Sequence, residues 1–272
     1  MNTKILFTDL DGTLLDSVKN ISRNNLEAID KMIMQGHKFV ITTGRPIQSA
    51  IQISRRYGWT GHGYYIASYN GGLIYDCGED KAMVRFPVKR EYVRHILDEA
   101  YSAGIHAHTY DDVNVVSERD TEELRAYCKA IMVPPVVVDD AVLYLKDDPI
   151  KVIVISRDSH SVLDDFRDRL APYCEGRLAT VFSSPILLEF ANPKATKGLA
   201  VSYMCDHFNI PIGDSVAAGD EENDISMIEA AGVGVAMSNA TEEVKATADY
   251  VTKRDNDHDG IEEIINRFIL QQ

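Results

Sequence analysis

The sequence predicts an α/β protein, in which a Rossmann-like parallel sheet forms the core and a smaller α+β cap is inserted into it. Three observations support this prediction. Short apolar segments alternate with helical segments at both ends of the chain, as in βαβ units. Acidic residues directly follow two of the predicted strands, at Asp9 and at Asp220. Between these ends the pattern changes to one that is typical of an antiparallel sheet.

Three strands are predicted in the first part of the chain, at residues 5–7, 39–41 and 64–67. Each is a short apolar run that is followed by turn-forming residues, as buried strands are. Ser22 is predicted to cap the helix between the first two strands, because a serine at that position accepts a hydrogen bond from the first helical turn. Strands that are separated by helices in this way form a parallel sheet.

The last part of the chain repeats this alternation from residue 195 onward. Asn239 is followed three residues later by Glu242, a spacing that predicts a capping box at the start of a helix. The predicted helices are 195–208, 224–231 and 260–270, and the predicted strands are 216–218, 233–237 and 250–251.

The middle of the chain is predicted to be a separate module. Helical patterns there alternate with segments that suit exposed strands, so we expect an antiparallel sheet with one face open to water. The predicted division is therefore a core of residues 1–82 and 188–272 and an inserted cap of residues 83–187.

Composition narrows the class of partner. The chain has 28 Lys and Arg against 42 Asp and Glu, a formal net charge of −14, which repels nucleic acids and anionic membranes. The four cysteines form no CxxC pair, and no apolar run approaches the roughly 20 residues of a membrane span. We expect a soluble cytoplasmic protein without nucleic-acid or membrane partners, either a monomer or a small homo-oligomer.

The strongest local signal is Asp9-Leu10-Asp11-Gly12-Thr13, which directly follows the first strand. Ligands of open parallel sheets bind at the carboxyl ends of the strands, so two acids are well placed there. Extended residues at i and i+2 point the same way, and both carboxylates are expected to face one pocket. Two carboxylates so close favour a divalent cation or a shared proton, although a solvated turn remains an alternative interpretation.

A second acidic group lies in residues 219–224, again directly after an apolar strand. Asp220 occupies the same kind of strand end as Asp9 and is predicted to complete a magnesium site. Asn223 and Asp224 open the following helix. Asp224 is expected to support the metal from a second layer or to orient Lys197, whereas the helix dipole alone would also explain an acid at that position.

Two weaker signals are typical of phosphate binding. Thr43-Gly44 ends the second strand and begins a helix, and so offers a hydroxyl and free backbone N–H groups to an anion. Lys197 begins another helix, where the dipole disfavours a cation. This disfavoured position is mild support for a functional ammonium group.

With these four motifs, the chain resembles the haloacid dehalogenase (HAD) superfamily and, within it, the Cof-type phosphatases with a large α/β cap. The resemblance spans almost the whole chain, and residues 83–187 fall where that subgroup inserts its cap. A single one of these motifs can occur by chance, but four motifs in the order of the family, each at the end of a strand or the start of a helix, are hardly a chance match. The motifs are Asp9-x-Asp11-Gly12-Thr13, Thr43-Gly44-Arg45, Lys197 and Gly219-Asp220-x-x-Asn223-Asp224.

The resemblance implies a division of chemical roles. Asp9 is the implied nucleophile, which forms an aspartyl-phosphate, and Asp11 the implied general acid and base. The implied magnesium site consists of Asp9, the backbone carbonyl of Asp11, and Asp220, with Asp224 in support. The implied phosphate contacts are Thr43, Lys197, Asn223 and the backbone amides of Leu10 and Gly44.

The expected function is that of a Mg²⁺-dependent phosphatase that acts on small phosphorylated metabolites, with sugar phosphates before phosphorylated cofactors. A phosphosugar mutase of the phosphomannomutase type is one alternative, since it would use cap arginines as a second phosphate site. A non-catalytic protein that binds a phosphorylated metabolite is another, although it would be free to lose Asp9, Asp11 or Lys197. The available cap arginines are Arg85, Arg90, Arg94, Arg119 and Arg125.

Overall fold

The computed structural model describes residues 2–270. The strands are β1 (Ile5–Thr8), β2 (Lys38–Thr42), β3 (Tyr64–Ser68), β4 (Leu73–Asp76), β5 (Lys81–Arg85), β6 (His106–Tyr110), β7 (Val115–Ser117), β8 (Pro135–Val137), β9 (Lys151–Ile155), β10 (Ala179–Ser184), β11 (Leu187–Ala191), β12 (Ser215–Gly219), β13 (Val233–Ala236) and β14 (Tyr250–Val251). The helices are α1 (Arg23–Met34), α2 (Ile47–Arg56), α3 (Arg90–Ser102), α4 (Glu122–Ile131), α5 (Ala141–Tyr144), α6 (His160–Cys174), α7 (Lys197–Phe208), α8 (Ile225–Ala230), α9 (Glu242–Thr247) and α10 (Gly260–Ile264).

The first compact unit contains an eight-stranded sheet. It comprises the chain up to Gly44, Ala50–Val84 and the chain from Thr196 onward. Its strand order is β14-β13-β12-β1-β2-β3-β4-β5, and the pairs from β14 to β3 are parallel. Strand β4 returns antiparallel to β3, a reversal that the helix–strand alternation did not predict. The predicted α/β class with a parallel core sheet is confirmed.

Local capping explains where the helices of this unit begin. The side chain of Ser22 accepts a hydrogen bond from the backbone of Asn25, as predicted, and Thr196 does the same at the start of α7. The predicted cap at Asn239 is wrong. Thr241 caps α9 instead, because its hydroxyl lies directly before the first helical turn and accepts from the backbone N–H of Val244.

The second compact unit, Arg45–Ser49 with Arg85–Ala195, has its own six-stranded sheet in the order β10-β11-β9-β6-β7-β8. Apolar side chains of α3 and α6 pack on one face of this sheet. The expectation that the other face is open to water is wrong for β6 and β7, which are buried along their whole length. On β6, the ring of Tyr127 from α4 lies 4.7 Å from the ring of His108.

The structure differs from the expected cap, residues 83–187, at both of its boundaries. Strand β11 pairs with β9 and β10, so residues 188–195 lie in the second unit, whereas the sequence suggested a return to the core at residue 188. Strand β5 likewise runs through the boundary that was expected after residue 82. Both expected boundaries fall within continuous strands, the first in β5 and the second in β11. Within residues 2–270, no helix is both long and apolar enough to cross a bilayer.

Candidate active site

Two neighbouring parallel strands place the main acidic residues side by side. Asp9 follows β1 and Asp220 follows β12, and these strands pair in register, with Thr8 opposite Ala218. The backbone N–H of Asp9 continues the pairing by donating to the carbonyl of Ala218 at 2.9 Å. Because the carboxyl ends of parallel strands meet at one edge, residues more than 200 positions apart share a site.

Three buried carboxylates form a cluster at this edge. One carboxylate oxygen each of Asp9, Asp220 and Asp224 lies within 4.8 Å of the others, a group that can hold a metal ion. The Oδ2 atom of Asp224 accepts the backbone N–H groups of Asp220 at 2.9 Å and Glu221 at 3.1 Å. These bonds fix Asp224, so one of its oxygens faces the backbone and the other faces the cluster. Hard carboxylate oxygens are ligands that Mg²⁺ prefers.

Lys197 is the cation of the cluster. It is the first residue of α7, and its Nζ atom lies 2.6 Å from Asp9 Oδ1 and 2.5 Å from Asp224 Oδ1. Its side chain is completely buried. Burial alone would lower the pKa of Lys197, but Asp9 and Asp224 outweigh it and raise that pKa above its ordinary value. The ammonium group therefore stays charged within the protein.

Burial also changes the titration of the acids. It raises the pKa of Asp9 to about 7, although Lys197 opposes the shift. Burial also raises the pKa of Asp220 to about 6, although a hydrogen bond of 2.6 Å from the hydroxyl of Thr13 lowers it in part. Three acids share one buried ammonium group here, which leaves an excess of negative charge. A bound divalent cation would offset that excess, so the donor set fits the predicted metal.

Glycine is required where the loop after β1 meets Asp220. Gly12 has a φ of +85°, and a Cβ atom there would lie only 2.2 Å from Asp220 Oδ2. The backbone thus approaches the carboxylate more closely than any side chain would allow. This contact, together with the Thr13 hydroxyl, fixes the position of Asp220 from the side of the loop.

The carboxylate of Asp11 stands apart from the three-acid cluster. Its carboxylate is 38% exposed, does not belong to the three-acid cluster, and accepts a hydrogen bond from Lys19 Nζ at 2.8 Å. Strand β1 ends at Thr8, so the alternation of a strand no longer applies to Asp9 and Asp11. Leu10, between them, is buried, and its carbonyl accepts the backbone N–H of Leu15 at 2.8 Å.

The candidate phosphate contacts surround Asn70, which sequence reasoning left without a role. The backbone N–H of Asn70 donates to the carbonyl of Thr43 at 2.9 Å, and a Cβ atom on Gly44 would lie 3.1 Å from Asn70 Oδ1. Asn223 Nδ2 donates to the same Oδ1 atom at 3.3 Å. Asn70 thus connects the end of β2 with the turn that carries Asp220 and Asp224. Its position in Asn-Gly-Gly after the third strand was the signal that could have identified it.

Known proteins resemble this chain over nearly its full length. The family model described as haloacid dehalogenase-like hydrolase matches residues 6–265. A phosphatase of 5-amino-6-(5-phospho-D-ribitylamino)uracil from Bacillus subtilis is 27% identical, over 98% of this chain and 99% of that protein. A phosphoglycolate phosphatase from Methanobrevibacter smithii is 25% identical, over 99% and 100% of the two chains. The crystal structure of a haloacid dehalogenase-like hydrolase from Bacteroides thetaiotaomicron superimposes with a TM-score of 0.90 at 29% identity, over 98% and 99% of the chains.

Proposed function

The chain belongs to the haloacid dehalogenase-like hydrolase family and is a phosphatase, and from that premise we propose that it hydrolyses phosphomonoesters of small metabolites with Mg²⁺. Sugar phosphates are the proposed substrate class. The observation that carries the proposal is the buried contact of Lys197 with Asp9 and Asp224 beside Asp220. Phosphoryl transfer needs positioned charges more than covalent chemistry, and this cluster supplies them.

The proposed metal ligands are Asp9 and Asp220 together with the backbone carbonyl of Asp11, and Asp224 supports them. Family members generally use a divalent metal, and the three-acid cluster suits one. When bound, Mg²⁺ would neutralise charge on the phosphoryl group. Asp224 is already held by two backbone N–H groups and Lys197, so its proposed part is to orient the others.

In the proposed reaction, a carboxylate oxygen of Asp9 attacks phosphorus while the bond from phosphorus to the ester oxygen breaks. The departing alkoxide takes a proton from Asp11 and leaves as the alcohol. Water then attacks the aspartyl-phosphate, the ionised Asp11 takes a proton from it, and phosphate leaves with Asp9 restored. Lys197 favours the ionised nucleophile, since its ammonium group lies 2.6 Å from Asp9 Oδ1.

The proposed phosphate contacts are the Thr43 hydroxyl, the Asn223 amide, Lys197, and the backbone amides of Leu10 and Gly44. Thr43 is buried at the end of β2, and Asn223 follows Asp220 in the turn after β12. Both lie at the carboxyl edge of the parallel sheet, where such sheets bind ligands. Two relatives that are named as phosphatases of phosphorylated small molecules support a small metabolite as the substrate here.

The mutase alternative is less favoured, because the cap arginines already have partners. A second phosphate site would need several of them to converge with free guanidinium groups. Instead, four form ion pairs with acids of the second unit and one stacks on an aromatic ring. The contacts are Arg85 with Asp112, Arg90 with Asp148, Arg94 with Glu118 and Asp140, Arg125 with Asp120, and Arg119 on Tyr101.

The test is a phosphate-release screen over about a hundred phosphorylated metabolites with Mg²⁺ or with EDTA, a panel suited to modest pocket discrimination. We expect turnover with Mg²⁺ only, and none from Asp9→Asn. Asp206→Asn removes one exposed carboxylate from the far end of α7 and should behave as wild type. Full activity of Asp9→Asn, or isomerisation of a hexose phosphate without phosphate release, would contradict the proposal.

A further inference from the structure

A loop near the C-terminus contacts the loop that follows the nucleophile. We call residues 255–259 the C-terminal loop and residues 10–17 the nucleophile loop. Asn256 Nδ2 donates to the carbonyl of Leu15 at 3.0 Å, and its backbone N–H donates to Asn239 Oδ1 at 3.3 Å. Asn239 Nδ2 in turn donates to the carbonyl of Gly12 at 2.8 Å. Residues more than 220 positions apart are therefore joined beside Asp220.

Asp257 makes the most direct connection between the two loops. Its Oδ1 atom accepts the backbone N–H of Ser17 and its Oδ2 atom accepts the Ser17 hydroxyl, both at 2.7 Å. Asp259 extends the contact to the start of α1, where its carboxylate accepts from the Ser22 hydroxyl at 2.5 Å and from Asn24 Nδ2 at 2.8 Å. Hydrogen bonds to a carboxylate are stronger than those between neutral groups.

The C-terminal loop is itself held in one shape. The Oδ1 atom of Asp255 accepts the backbone N–H of Asp257 at 3.0 Å, and its carbonyl accepts the N–H of Gly260 at 3.0 Å. A Cβ atom on Gly260 would lie 2.5 Å from Met237 Cε and 2.9 Å from the carbonyl of Arg254. A support that is fixed in this way can hold another loop in a single position.

The nucleophile loop needs such support, because it contains no helix or strand, only the isolated β-bridge between Asp11 and Leu15, and yet contacts Asp220 of the acidic cluster. It carries Asp11, the Gly12 backbone that touches Asp220, and the Thr13 hydroxyl that donates to Asp220 at 2.6 Å. A shift of this loop would move both the proposed general acid and a proposed metal ligand. Positions of reacting groups must hold within about half an ångström for efficient catalysis.

We propose that Asn239, Asn256 and Asp257 are positioning residues of the active site, which set Asp11 and Asp220 by fixing the nucleophile loop. The inference rests on the proposed function for its catalytic consequence. Under this proposal the C-terminal loop contributes to the geometry of the active site and is more than a solvated turn.

The experiment compares Asp257→Ala, Ser17→Ala and the double variant with Asp206→Ala, which removes an exposed carboxylate elsewhere. Removal of groups that orient metal ligands typically costs 10–100-fold. We expect Asp257→Ala to lose about tenfold in kcat, with KM changed less than about threefold, and to bind Mg²⁺ about tenfold more weakly by calorimetry. The double variant should match Asp257→Ala, because both changes remove contacts of one carboxylate. Asp206→Ala should match wild type.

Because Mg²⁺ binding can be measured by calorimetry without any turnover, a failure of the positioning role can be distinguished from a failure of the proposed function. If wild type binds Mg²⁺ and lacks turnover, the proposed function fails, whereas a weaker affinity of Asp257→Ala still supports the positioning role. Each variant is measured at least about 15 °C below its own melting temperature, so that unfolding does not enter. A lower melting temperature with unchanged kcat and unchanged Mg²⁺ affinity would overturn the inference, since Asp257 would then be structural only.

Discussion

Lys197 and Asp9 form a buried ion pair, with 2.6 Å between the ammonium nitrogen and Asp9 Oδ1. A second acid, Asp224, contacts the same nitrogen at 2.5 Å, so one cation serves two carboxylates. Such a pair gains little net stability when complete, but removal of one partner leaves a buried charge without compensation. The ammonium group of Lys197 therefore opposes the effect of burial on Asp9 at the end of β1 and favours its ionised form.

We predict that Lys197→Ala abolishes most of the activity and destabilises the protein in a pH-dependent way. Loss of one such stabilising group costs about 100–1,000-fold in turnover. Without the ammonium group, the pKa of Asp9 should rise further above its ordinary value, so the loss of stability should be larger at pH 8 than at pH 5.5. Urea denaturation at both pH values, alongside phosphate release, checks this. Lys194→Ala, at an exposed lysine three residues earlier, is the matched control.

Metal binding should strengthen as pH rises, because cation and protons compete for the same carboxylates. Burial raises the pKa of Asp9 to about 7 and that of Asp220 to about 6. With these two groups, the metal-free folded protein holds more protons than the unfolded chain above the ordinary pKa of 3.8. Their contribution to stability is therefore fully present below that pH, and it is lost as pH rises to about 6 for Asp220 and about 7 for Asp9. We predict that Mg²⁺ raises the melting temperature more at pH 8 than at pH 5.5. An equal or larger increase at pH 5.5 would contradict this prediction.

Elements whose position depends on the parallel sheet could be predicted from the sequence. Asp9, Thr43 and Asp220 follow apolar strands, and parallel strands bring their carboxyl ends to one edge whatever the intervening loops do. The helix cap at Ser22 is local in the same sense, since it depends on a hydrogen bond within one turn. Patterns of this kind need only short-range chemistry and the general geometry of the sheet.

Long-range contacts of polar loop residues could not be predicted. Asn239 fitted a capping box by spacing, yet its side chain contacts Gly12, which is 227 positions away. Asp11 was expected to face one pocket with Asp9 because of strand alternation, but that alternation ends at Thr8 and Asp11 does not join the three-acid cluster. An asparagine or aspartate side chain satisfies a nearby backbone group or a distant one equally well, so spacing alone does not decide between them.

The contact between Gly12 and Asp220 gives a test with a matched control in the same chain. Gly12 and Gly36 have nearly the same φ, +85° and +86°, but a Cβ atom at Gly36 would meet no atom of the described residues 2–270 within 4 Å. Both alanine variants should lose about 1–2 kcal/mol of stability from the left-handed backbone. Only Gly12→Ala should also displace Asp220, with weaker Mg²⁺ binding and at least about tenfold lower turnover. Equal Mg²⁺ affinity in the two variants would show that the close approach of Gly12 to Asp220 has no effect on metal binding.

The last prediction separates the side chain of Asn70 from its backbone. Asn70 has a φ of 55°, so Asn70→Ala adds backbone strain to the loss of the amide, whereas Asn70→Gly removes the amide alone. If Asn70 positions Asn223 and the Thr43–Gly44 turn on the substrate phosphate, both variants should raise KM several-fold, and both should weaken the binding of inorganic phosphate. Asn209→Gly, at the exposed end of α7 with a φ of 53°, controls for the added glycine. Stability should fall in Asn70→Ala more than in Asn70→Gly, as measured by thermal denaturation. An unchanged KM in Asn70→Gly would contradict this prediction. Glycine keeps the turn and lacks only the side-chain amide, so Asn70 would then serve the backbone turn and not the binding of substrate.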